Sequence, residues 1–229
     1  MTEKLVLFDV DQTLFDLIHF YEKAFAEMFR EVYGIKASLL DNDFGGKTIP
    51  VIILEVCVKK GVSKKQANEK LKLAVKKTEK YFLKKIKTRK RVSALPGVRN
   101  LLRELEKKGA VLGIITGGPR KAVIAGLAKT RLSKFFKVLA TGENGGDKRL
   151  LAKIAKKKCE KKTGKKFSWK NVCLVGDSES EASSAKALGA RSVSVATGFH
   201  SKARLRKSGT KILFGDFSDY KKVSRSILS

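Results

Sequence analysis

The chain has 229 residues, 51 of them Lys or Arg and 22 Asp or Glu, for a formal net charge of +29. An apolar fraction of 42% with 19 Gly and 3 Pro excludes a disordered polyelectrolyte and a low-complexity chain. No apolar run approaches the roughly 18–20 residues of a membrane span, and Cys57, Cys159 and Cys173 are too scattered for a zinc site or a disulfide framework.

The opening MTEKLVLFDVD lacks the layout of a signal peptide, so a cytoplasmic protein with no membrane partner is expected. Residues 4–9 form a continuous apolar run ending in an acid, which predicts a strand covered on both faces. Residues 16–33 switch to helical spacing, with Ile18, Tyr21, Phe25, Met28, Phe29 and Val32 on one face and Gly34 as a stop. Asp16 suits a helix start. Residues 49–58 are apolar throughout, and Pro50 favours a helix there. Residues 64–87 place Ala67, Leu71, Ala74, Val75, Thr78, Phe82 and Ile86 on one stripe of a lysine-rich helix.

After Pro96 and Gly97 the pattern becomes regular. Helix is predicted at 98–108, strand at 110–116, helix at 119–130, strand at 136–141, helix at 148–162, strand at 171–176, helix at 179–188 and strand at 192–196. A Gly-bearing loop, a short strand at 211–214 and a helix near 217–228 close the chain. Strands alternating with helices give βαβ units and a parallel sheet. The first two strands lie about 100 residues apart, far more than one crossover needs, so 16–91 reads as an inserted helical subdomain.

Ligands of such sheets bind beyond the carboxyl ends of the strands. Strand one ends in Asp9-Val10-Asp11-Gln12-Thr13, and strand two in Thr116-Gly117-Gly118. The loop after strand three reaches Lys148, and strand four ends in Gly176-Asp177-Ser178-Glu179-Ser180-Glu181. Crowded carboxylates need a hard cation, and Mg²⁺ takes oxygen ligands while leaving room for phosphate oxygens. A lysine, a hydroxyl and glycine N–H groups can hold the rest of a phosphoryl group. Together these ends fit phosphoryl transfer. Taken singly they are weaker: Asp177-Ser178 also suits a helix N-cap, and Lys148 is one lysine of many.

These residues resemble the haloacid dehalogenase-like hydrolases, whose four motifs appear in order as DVDQT, IITGG, Lys148 and VGDSESEASSAKALGA. The last is similar to the phosphoglycolate phosphatase-like branch. The resemblance implies an α/β fold: a three-layer, Rossmann-like parallel sheet core, residues 1–15 and 92–229, with 16–91 as a helical cap. It implies Asp9 as nucleophile and Asp11 as acid and then base, with its carbonyl on the metal. Thr116 and the Gly117 N–H would hold the phosphoryl group, and Lys148 would neutralise it. Mg²⁺ would sit on Asp9, Asp11 and Asp177. Glu181 would hold it through water or orient Lys148. Three departures stand out: Gln12 where Gly is usual, Glu181 where Asp is usual, and Lys148 without the following Pro, which leaves Lys153 as a rival.

The expected activity is hydrolysis of a small phosphorylated metabolite, with 2-phosphoglycolate first. Pyrophosphate, nucleotide or sugar phosphate hydrolysis and phosphomutase chemistry are the alternatives. A basic cap would steer a doubly anionic substrate inward. Phe15 and Phe44 read as core, Gly45–Thr48 as a polar turn, and His19 and His200 as structural or surface. A monomer or homodimer is expected. The reading from another class is a nucleic-acid-binding module. Residues 59–91 hold 15 Lys or Arg against 2 acids, and 148–170 hold 11 against 1. The basic residues are mostly Lys without interleaved aromatics, so a solvated surface with nonspecific nucleic-acid contact is expected.

Overall fold

The computed structural model describes residues 3–88 and 92–229. β1 (Leu5–Phe8) is wholly buried, which is why its sequence is apolar without alternation. The helical insert follows: α1 (Ile18–Met28), α2 (Ile49–Lys59), α3 (Lys64–Glu69) and α4 (Leu71–Thr88). The remainder runs α5 (Val98–Lys107), β2 (Val111–Ile115), α6 (Arg120–Thr130), β3 (Val138–Ala140), α7 (Lys148–Thr163) and β4 (Val172–Gly176). It closes with α8 (Glu179–Leu188), β5 (Arg191–Val195), α9 (Lys202–Lys207), β6 (Leu213–Phe214) and α10 (Tyr220–Leu228).

The strands form one parallel six-stranded sheet in the order β3-β2-β1-β4-β5-β6. Alternation along β1 divides the core into two layers. Leu5 and Leu7 pack with Leu151, Ala155 and Cys159 of α7 and Ala185 of α8. Val6 and Phe8 face the layer holding Leu101 and Leu105 of α5, Leu127 of α6 and Ile227 of α10. This is the three-layer α/β core expected. The strand order reverses between β1 and β4, where the pairing sets Phe8 beside Val175. The carboxyl ends at that switch point carry Asp9 and Asp177.

The insert has its own packing. Tyr21 and Phe20 of α1 meet Phe82 of α4, with ring centroids 4.4 and 6.1 Å apart. Phe82 is fully buried, and its loss to Ala would cost about 3–5 kcal/mol. Lys85 pairs with Glu27 at 2.5 Å and Lys77 with Glu31, tying α4 to α1 and to the turn that follows it. The chain enters and leaves the insert through two segments that lie side by side: Leu95 N–H donates to the Leu14 carbonyl at 2.9 Å. The expected insert boundary at 91 falls outside the described residues.

Three local expectations change. The 16–33 helix ends at Met28 and continues as one π-helical turn, Phe29–Tyr33, before Gly34 in the left-handed region. The 64–87 helix is two helices broken at Lys70, whose ammonium reaches the Val32 carbonyl at 3.2 Å. The stripe survives the break: Ala67, Ala74, Thr78, Phe82 and Ile86 are buried, while Leu71 and Val75 are half-buried. The loop after β5 contains α9, started by Ser201, whose hydroxyl accepts from Arg204 N–H at 3.2 Å.

Candidate active site

The four strand ends converge. Asp9 follows β1 directly, and its N–H donates to the Val175 carbonyl of β4 at 2.8 Å. Lys148 is the first residue of α7, behind the N-cap Asp147. Its side chain is buried and turns back across the sheet end. Its ammonium lies 2.6 Å from Asp9 Oδ1, 2.7 Å from Glu181 Oε1 and 3.3 Å from the Ile115 carbonyl. Lys153, the rival, is exposed.

Glu181 is fully buried beneath Gly176, where a Cβ would strike its carboxyl carbon. Its Oε2 accepts from the Ser178 hydroxyl at 2.5 Å and from Ser178 N–H at 3.1 Å. One residue thus closes the capping box of α8 and holds Lys148 from below. Ser178 acts as that N-cap, as the Asp177-Ser178 pair allowed.

Asp177 accepts from the Thr13 hydroxyl at 3.0 Å. Thr116, at the end of β2, is buried, and its hydroxyl accepts from Gly118 N–H at 3.3 Å. Gly117 lies under the insert: a Cβ there would strike the Lys47 carbonyl. Gln12 sits at φ +60°, a left-handed position where glycine is unstrained, which accounts for the family's usual residue there. Its carbonyl accepts from the Thr197 hydroxyl and its N–H donates to Phe15 O at 2.9 Å.

Burial sets the protonation states. Loss of hydration raises the Asp9 carboxyl despite Lys148, with Glu181 adding to the rise. Asp177 is pushed well above the usual carboxylate range by burial, then by Asp9 and Glu181. Burial would also raise Glu181, but Lys148 and Ser178 outweigh it and hold the carboxyl below its ordinary range. Burial opposes the charge on Lys148, and Asp9 and Glu181 overcome it, so the ammonium is held charged. Asp11 is pushed up to about 8, chiefly by lost hydration, with Asp16 and Asp9 adding to the rise and the Leu17 N–H at 2.7 Å opposing it. A carboxyl in that state can donate a proton near neutrality.

These residues suit a hard cation. The Asp9 charge raises the affinity of Asp177 for a positive charge. Asp9 Oδ1 is buried and meets no hydrogen-bond donor in good alignment, with the Lys148 ammonium 2.6 Å away. Among the described residues no three His, Cys, Asp or Glu side chains enclose a metal position. Two carboxylates with backbone and solvent oxygens match the way Mg²⁺ is usually held.

An open cleft joins these residues to the insert. Its insert wall is apolar: Leu17, Ile18, Tyr21, Phe25, Leu39, Ile49 and Ile52. Among the described residues Lys47 is the insert's one lysine on the lining, and Glu55 pairs with it at 2.7 Å. The lysines of α4 stand off its inward stripe, which Ala74, Thr78, Phe82 and Ile86 claim.

Phe44 is not simply core. It lines the mouth, edge-on to Phe199 at 4.7 Å, whereas Phe15 is fully buried. Gly45–Thr48 is a turn docked on the core: a Cβ at Gly46 would strike Ser180 Oγ. Asp16 Oδ1 accepts from Ile18 N–H at 2.9 Å at the start of α1. His19 is exposed. His200, read as structural or surface, is a buried wall residue whose Nδ1 accepts from Glu179 N–H at 3.2 Å. Tyr21, Phe199 and His200 had no motif to mark them. Thr13 did, as the last letter of DxDxT.

Residues 6–195 match the family model described as haloacid dehalogenase-like hydrolase. A phosphoglycolate phosphatase of Pseudomonas savastanoi pv. phaseolicola is 26% identical over 213 residues, covering 86% of this chain and 71% of its own. One from Pseudomonas syringae pv. syringae is 25% identical with the same coverage. Among solved structures, a predicted phosphatase from Clostridium acetobutylicum superposes with a TM-score of 0.79 at 19% identity, over 98% of this chain and 100% of that one. A predicted phosphoglycolate phosphatase from Haemophilus somnus gives 0.76 at 21% identity, over 98% and 99%. Both structures share the fold of this chain.

Proposed function

The chain belongs to the haloacid dehalogenase-like hydrolases, on their phosphatase branch, and from that premise we propose a Mg²⁺-dependent phosphomonoester hydrolase working through an aspartyl-phosphate on Asp9. The observation that carries the reading is the buried lysine held between Asp9 and Glu181, at 2.6 and 2.7 Å.

An Asp9 carboxylate oxygen attacks phosphorus, and the bond from phosphorus to the ester oxygen breaks. The Asp11 proton goes to that oxygen, which leaves as an alcohol. Lys148, the Thr116 hydroxyl and the Gly117 N–H hold the phosphoryl oxygens. Water then attacks the phosphorus. Asp11, now a carboxylate, takes the water proton, and Asp9 is released with phosphate. Asp9, Asp177 and the Asp11 carbonyl would hold Mg²⁺, which when bound offsets charge on the phosphoryl group. Glu181, with both oxygens engaged, positions Lys148 in this reading and is not a direct ligand. We take 16–91 as the cap and 1–15 with 92–229 as the core, and the paired passages at Leu14 and Leu95 support that division.

The relatives' names make 2-phosphoglycolate the first ester to assay. Phosphate release should require Mg²⁺, stop with EDTA, and fall by about four orders of magnitude or more in Asp9→Asn, with the unfolding midpoint little changed. Turnover retained in folded Asp9→Asn would remove Asp9 as the nucleophile.

A further inference from the structure

We infer that the ester hydrolysed here carries an apolar organic group, an alkyl or aryl alcohol, in place of a second anion; this rests on the hydrolase reading above. The two sides of the cleft differ in chemistry. The core side holds the acids, Thr116, Gly117 and Lys148. The insert side is lined by Leu17, Phe25, Leu39, Ile49 and Ile52, each at most 5% exposed, with Tyr21 beside them. Such a wall gains free energy when it excludes water against a hydrocarbon.

A doubly anionic substrate needs a second cation, and among the described residues each candidate at the lining already has a partner. Lys148 lies between Asp9 and Glu181 at 2.6 and 2.7 Å. Lys47 pairs with Glu55 at 2.7 Å, and the same carboxylate oxygen accepts from the Asn42 amide. His200 Nδ1 accepts the Glu179 backbone N–H at 3.2 Å, and its Nε2 lies 3.4 Å from Asp43 Oδ1. Arg204, just behind it, is taken by Asp43 at 2.7 Å and Glu179 at 2.9 Å. A carboxylate seated among the aliphatic side chains would lose its hydration without a counter-charge. The Tyr21 hydroxyl lies beside Gly118, where an added Cβ would come 3.1 Å from it. Burial and the charges of Asp11 and Asp9 raise it well above its ordinary range, so it stays protonated and can donate to an ether or alcohol oxygen.

The test uses the whole chain with Mg²⁺ and two readouts. Calorimetry measures binding of methyl-, butyl- and hexylphosphonate, with inorganic phosphate as the baseline. Phosphate release measures kcat/KM for butyl and hexyl phosphate, whose leaving alcohols are equally basic, and for 2-phosphoglycolate. Each methylene that enters the wall should tighten binding about three- to fourfold. Hexyl phosphate should exceed 2-phosphoglycolate in kcat/KM. In Ile52→Thr the hexyl-to-methyl affinity ratio should fall severalfold; the wild-type series stands without it if that variant does not fold.

Turnover with affinity independent of chain length, or with 2-phosphoglycolate ahead, overturns this inference and leaves the hydrolase reading intact. Chain-length-dependent binding without turnover of any ester supports the apolar subsite and overturns the hydrolase. Neither binding nor turnover overturns both.

Discussion

Two groups of lysines in this chain behave in opposite ways. Lys72, Lys76, Lys80, Lys84 and Lys87 stand exposed on α4, where water and salt screen them. Lys148 is 2% exposed and wedged between two carboxylates. The first group supplies five of the 51 basic side chains and is interchangeable with other solvated side chains. The second adds one charge whose position decides the state of Asp9 and Glu181. Net charge therefore says little about the site; burial and pairing say most of it.

The sharpest way to break this contrast is to remove Lys148. Lys148→Met leaves two buried acids without their cation. Turnover should fall about a thousandfold, and stability by about 3–5 kcal/mol before any proton uptake by Asp9 or Glu181 relieves it. Phosphate release and urea unfolding measure the two effects. A loss under tenfold would mean that another group neutralises the phosphoryl oxygens. Glu181→Gln should do less. The amide keeps the shape and can still accept from Lys148, but it no longer supplies the charge that fixes the ammonium. A loss of about ten- to a hundredfold in kcat is expected, with KM for a non-ionic leaving group little moved. An equal rise in KM would instead place Glu181 in substrate binding.

Most of the architecture was legible in the sequence because each signal was local. The run Leu5–Phe8 is apolar without alternation because both faces are covered. Helix 179–188 matched to the residue, since Ser178 and Glu181 form a capping box and Gly189 ends it in the left-handed region. The break at Lys70 and helix α9 left weaker marks. The first depends on a lysine reaching the distant Val32 carbonyl, and the second is only six residues long. At the site, the strand-end residues followed from topology. The opposite wall did not, because it arises where two parts of the chain meet. Tyr21 sits on a helix stripe that looks like ordinary core, and Phe44 and Phe199 are 155 residues apart. The expectation of a basic cap found little lysine on the described lining for a related reason. A count of lysines carries no direction, and the apolar stripe of α4 had already claimed the inward face.

The exposed group sharpens the contrast from the other side, with the smallest effect. Lys80→Gln on α4 should leave phosphate release unchanged and alter stability by less than about 0.5 kcal/mol. Its effect should appear only in binding to duplex DNA. Affinity should fall steeply with salt, vanish near physiological ionic strength, and show a log–log slope reduced by at most about 0.9 in the variant. That pattern belongs to generic charge. Binding that persists at physiological salt, and that Lys80→Gln weakens well beyond one counterion, would instead make the α4 face a nucleic-acid site in its own right. The two lysine groups would then both be functional, one as a buried electrostatic element of the site and the other as a surface for polyanions.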